Sequence, residues 1–176
     1  MLFTDRSIWT MVHGIVLGGA ALMGLSAALF YLCAARTSGP EGQPPNGSRA
    51  LAALTVLTAV VLWLTVLAGT YIIFPPYRAT PPAGVTDLSQ FPRSLIEANP
   101  DTAWLHSFAM EIKEHLPWIA SMLATAVAFV IVQYRSRVLY DASLRRMAAM
   151  LLAICLGLVS FVSLMGVFVN KVAPLQ

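Results

Sequence analysis

Four stretches of this chain, residues 8–34, 50–74, 117–134 and 147–169, contain no Asp, Glu, Lys or Arg. A helix of roughly 20 apolar residues crosses about 30 Å of hydrocarbon, so the chain is counted in membrane spans rather than soluble domains. Composition agrees: of the 176 residues 58% are hydrophobic and 11% charged, where a soluble domain carries about 45–50% and 25%. That excess excludes soluble cytosolic, nuclear and secreted classes. The expected fold is all-α, an integral membrane four-helix up-and-down bundle in one membrane domain over residues 1–176. The segment 75–116 forms an outer cap. The first run is far longer than the 7–15 residues of a signal-peptide core, and Asp5 offsets Arg6 before it, so it reads as a retained span.

Arginine sets the expected orientation. Arg36 and Arg49 flank the loop after the first span, and Arg135, Arg137, Arg145 and Arg146 crowd the loop after the third. On the other side Arg6, Arg78, Arg93, Lys113 and Lys171 are dispersed and offset by Asp5, Asp87, Glu97, Asp101, Glu111 and Glu114. The arginine-rich side is therefore cytoplasmic. Both termini and the 75–116 segment face outward, to the periplasm if the membrane is a bacterial inner membrane. The net charge of +3 comes with no basic stripe or cluster of five, which argues against nucleic acid as a partner.

The connector from Thr37 to Ser48 is Gly/Pro-rich, and its Asn46-Gly47-Ser48 matches a glycosylation acceptor by chance on the cytoplasmic side. Prolines at 75, 76, 81, 82, 92 and 100 suit an extended lid over the outer face, after which the chain turns helical again as an outer extension of the third span. Gly14, Gly18 and Ala21 in the first span, and Ala153, Gly157, Ser160 and Ser163 in the fourth, form stripes of small residues suited to helix packing.

The three histidines fall on the outer side. Counting 20 residues outward from the inner end of each span reaches His13, Gly69, His115 and Gly166, one per helix at a common level. His106 lies about 13 Å farther out than His115 and half a turn round the helix. Glu111, His115, Trp118 and Met122 share one face, at i, i+4, i+7 and i+11, and this face is expected to point inward because ionisable groups at membrane depth avoid lipid. His106, Met110, Lys113 and Pro117 share the opposite one.

Three chemistries are open to these residues. In the first, His13 and His115 supply the two axial nitrogens of a b-type haem, with Gly14, Gly69 and Gly166 opening its slot and Arg78, Lys113 or Lys171 meeting its propionates. Here the chain resembles the four-helix membrane b-type cytochromes that pass electrons between quinols and redox partners. The resemblance implies an electron-transfer subunit of a respiratory complex, exchanging electrons with a quinol or a cytochrome. His106 with Glu111 would then serve a proton, a quinol headgroup or a partner. Such cytochromes commonly hold two haems with four histidines, where three are present here. In the second reading His13, Glu111 and His115 hold copper or zinc. In the third the chain is a cofactor-free structural or assembly subunit, with the bilayer and other subunits of a membrane complex as partners.

Other chemistries find no residues. There is no phosphate-cradling GxxxxGK[ST] and no Cys-xx-Cys-His. Cys33 and Cys155 belong to the inner halves of their spans and read as small apolar residues. Ser160, Ser163 and the cysteines sit too deep for a histidine to activate them. No span carries a mid-membrane charge of the kind an ion-coupled transporter uses. Thr55, Thr58 and Thr65 read as back-bonding or packing groups.

Overall fold

The computed structural model describes residues 4–34 and 47–174, and all the regular secondary structure among them is helical. In chain order the helices are α1 (Asp5–Ala34), α2 (Ser48–Tyr77), α3 (Pro92–Glu97), α4 (Leu105–Tyr134), α5 (Ser136–Tyr140) and α6 (Ala142–Val172). The long ones, α1, α2, α4 and α6, contain the four charge-free runs and are long and apolar enough to cross a membrane. Residues 37–46 of the Gly/Pro-rich connector, with Asn46, and Arg36 before it lie outside the described residues.

Local sequence explains where the helices begin and end. Thr4 caps α1 by accepting from the backbone N–H of Ser7, and Asp141 caps α6 by accepting from those of Ser143 and Leu144. The bonds from Leu144 and Ser143, with Arg137 nearby, hold the Asp141 carboxyl below the ordinary carboxylate range. The expected lid is partly helical: α2 runs on through Pro75 and Pro76 to Tyr77, and Pro92 opens α3. Pro92 is tolerated because first-turn residues have no intrahelical N–H bond to lose, and Pro75 and Pro76 open the short turn Phe74–Tyr77 at the end of α2.

The long helices pack so that α1 and α4 each lie against both α2 and α6. Their interior is two apolar clusters, not one. The larger, toward the arginine-rich end, takes Ala21, Leu25, Ala28 and Leu32 of α1 at helical spacing. It meets Leu51, Ala59 and Leu62 of α2, Ala124, Val127 and Ile131 of α4, and Leu152 and Cys155 of α6. The smaller joins Tyr77, Ile96, Leu105, Met110, Met165 and Val169 at the other end.

Most polar groups inside the packing are satisfied, the buried Ser121 hydroxyl being without a partner among the described residues. The hydroxyls of Thr55, Thr58 and Thr65 donate to the backbone carbonyls of Leu51, Leu54 and Val61, as expected of hydroxyls in apolar helices. The Cys155 thiol donates to the Ala120 carbonyl at 3.3 Å. Trp63 of α2 stands edge-on to Trp118 and donates to the Thr125 hydroxyl at 3.0 Å.

The small-residue stripes do not pack as expected. Ala21 is buried, but Gly14 faces open space, and Ala153, Gly157 and Ser160 lie exposed on α6. A helix that is apolar on every side carries little directional signal. Here bulky Leu152 and Val159 took the interior, while the close helix approach falls at Gly24, against Thr58.

Candidate functional site: the histidine-bearing end of the helices

Three of the long helices widen to π-helical hydrogen bonding at this end: Val12–Leu17 in α1, Gly69–Ile73 in α2 and Leu105–Met110 in α4. Such insertions redirect side chains and recur at functional sites. His13 and His106 both lie within them.

His106 is the centre of a polar relay. Its Nδ1 lies 3.0 Å from the hydroxyl of Tyr77 and its Nε2 3.3 Å from Oε1 of Glu97. The same carboxylate oxygen accepts from Nε of Arg93 at 3.2 Å. With a carboxylate at Nε2, the neutral ring carries its proton there and leaves Nδ1 to accept from the Tyr77 O–H. Tyr77 is only 3% exposed and stacks on Phe74. The relay thus ties the end of α2, the short α3 and the start of α4 into one unit. The sequence reading paired His106 with Glu111 instead. Tyr77 and Glu97 escaped it because the contact spans 29 residues across a segment expected to be extended. The recoverable signal was that Tyr77 and His106 flank charge-free runs on the same expected side.

Below the relay, between the two apolar clusters, each long helix contributes one residue. The His13 imidazole of α1 lies on Gly69 of α2: a Cβ built at Gly69 would stand 2.8 Å from the ring Cε1. Lys113 of α4 reaches Gly166 of α6, where a Cβ would stand 3.3 Å from Nζ. The Lys113 charge lies within electrostatic reach of His13. Its Nδ1 is buried without a hydrogen-bond partner.

His115 is not in this layer. Its side chain is 68% exposed, with Nδ1 2.8 Å from the Glu111 carbonyl on its own helix. The face of Glu111, His115 and Met122 expected to point inward is turned out, and the face of Met110, Lys113 and Pro117 is turned in. Two residues separate His115 from Lys113, about 200° around a helix; a count along the helix axis carries no information on direction.

The consequences for ligand chemistry are direct. Two axial imidazoles must approach one haem from opposite faces, whereas His13 points inward onto Gly69 and His115 outward, so this pair does not fit that group. Arg78 sits over the Phe74 ring at 5.2 Å, and Gly14 borders open space. Among the described residues no group of three His, Cys, Asp or Glu side chains gathers as a metal site, and His13 is apart from Glu111 and His115. Comparison with protein-family models, curated proteins and solved structures found no match.

Proposed function

We propose that the chain is an integral membrane protein that serves as a structural or assembly subunit of a membrane complex, without a resident haem. In this reading the four long helices cross the bilayer as an up-and-down bundle, with both termini and the cap of residues 75–116 on the outer side. Large apolar side chains such as Val16, Phe30, Leu57, Phe129 and Val167 are exposed around all four helices, a surface suited to lipid. Arg49, Arg135, Arg137, Arg145 and Arg146 gather at one end, which favours that end as cytoplasmic.

One observation carries the functional choice, namely the commitments of the histidines. His115 is turned outward onto Glu111, and His106 is engaged between Tyr77 and Glu97. A cap tied together by this relay is suited to holding a partner subunit in register. The deciding measurement is a dithionite-reduced minus oxidised absorption spectrum of the detergent-purified protein, with metal analysis of the same sample. A flat spectrum without stoichiometric iron, copper or zinc is expected. A sharp reduced α-band that disappears in both His13→Ala and His115→Ala would overturn the reading in favour of a b-type electron-transfer subunit.

A further inference from the structure

We infer that the layer between the two apolar clusters is a binding site for the phosphate of an anionic phospholipid, with Lys113 as its cation and His13 as a second donor. The inference rests on the membrane reading above.

Lys113 stands on the inward face of α4, its ammonium directed across to α6 in the space that Gly166 leaves by lacking a side chain. Among the described residues it makes no ion pair and no side-chain hydrogen bond. None of the nearby acids pairs with it among the described residues: Glu97 is engaged by Arg93 and His106 and Glu111 by His115, and Glu114, next to it in sequence, makes no ion pair with it. Desolvating an ammonium is unfavourable unless an opposite charge or acceptors compensate it, and no side chain among the described residues is paired with it. The buried, unpartnered Nδ1 of His13 is the second open valence in the same layer. With its single proton on Nδ1, the neutral imidazole donates to an anion from there.

The surroundings select the anion. Apolar clusters close the layer above and below, and its depth is that of the outer ends of the spans. A ligand there must bring an anionic oxygen head to the hydrocarbon edge and carry apolar chains into the bilayer. Phosphate offers several acceptor oxygens to an ammonium and an imidazole N–H together. The same oxygen chemistry could be delivered by free phosphate, so both sources are tested.

The wild-type protein is reconstituted in nanodiscs of phosphatidylcholine alone or with about one quarter phosphatidylglycerol, and thermal unfolding is followed by tryptophan fluorescence. Lipid retained after detergent extraction is counted by native mass spectrometry. Phosphatidylglycerol is expected to raise the midpoint and to remain bound one per protein. Lys113→Met should bind it at least about tenfold more weakly, a loss of about 1.4 kcal/mol, and lose the rise in midpoint. His13→Phe should lower both in part, and Lys171→Gln, at an exposed position on α6, should retain both. A rise produced in phosphatidylcholine discs by inorganic phosphate, and lost in Lys113→Met, would support the same anion site supplied from solution. Equal midpoints in all three conditions, or a rise that survives Lys113→Met, would overturn the site. Failure of the wild-type protein to reconstitute at all would instead overturn the membrane reading.

Discussion

A glycine inside an apolar helix matters only where another atom occupies the place of its missing side chain, and the structure separates such positions from idle ones. A Cβ at Gly24 would run into the hydroxyl, methyl and Cβ of Thr58. Thr58 has no easy retreat, being β-branched and bonded to the Leu54 carbonyl at 2.7 Å. Gly24→Ala is therefore expected to destabilise by about 1–3 kcal/mol, the range for overpacking a close helix contact. Gly14 and Gly157 have nothing within 4 Å of that position. Gly14→Ala and Gly157→Ala should be neutral or stabilise by up to about 1 kcal/mol through helix propensity. Reversible unfolding of the three variants in mild detergent measures the difference; equal effects at Gly24 and Gly157 would show that the helices do not pack along the faces described.

Helices carry two kinds of information, and only one was legible in the chain. The existence and extent of the four long helices followed from charge-free runs and flanking polar residues, since no other regular structure satisfies so many backbone groups in an apolar stretch. Rotation about the helix axis did not follow. With apolar residues on every side, the count that set His13, Gly69 and Gly166 at one level had no means of choosing between His115 and Lys113. The cap was illegible for a different reason: its relay depends on Tyr77, Glu97 and His106 meeting through tertiary contact. That relay also sets an expectation for the elements it joins. The cap cluster around Tyr77 and Ile96 is separate from the larger cluster, so loosening one need not loosen the other. His106→Leu leaves the Tyr77 hydroxyl and the Glu97 carboxylate without their shared partner. It should speed amide exchange in α3 and the start of α4 about tenfold, the equivalent of losing roughly one charged hydrogen bond, with exchange in the Leu25–Ile131 layer unchanged. Uniform acceleration throughout would mean that the cap and the helices unfold as one unit.

At the scale of the whole molecule the two ends are chemically unlike, and the chain carries its own reporter of which end faces where. Arginines gather at one end and the His106 relay at the other, while the helices between expose apolar side chains. The two cysteines are free, and they divide the labour of a topology test: Cys33 is exposed near the arginine-rich end of α1, and Cys155 is fully buried against Ala120 of α4. A folded protein should therefore present one reactive thiol, because reaction requires an accessible thiolate and Cys155 has neither access nor a polar setting. If the arginine-rich end is cytoplasmic, a membrane-impermeant maleimide should label inside-out vesicles and leave right-side-out vesicles unlabelled, with Cys33→Ser abolishing the signal and Cys155→Ser preserving it. Solubilisation in denaturant should then expose the second thiol and double the labelling. Labelling of Cys33 from the outer side would reverse the bundle in the membrane. The cap and the Lys113 layer would then face the cytoplasm, and any partner or anionic lipid would have to meet them in that leaflet.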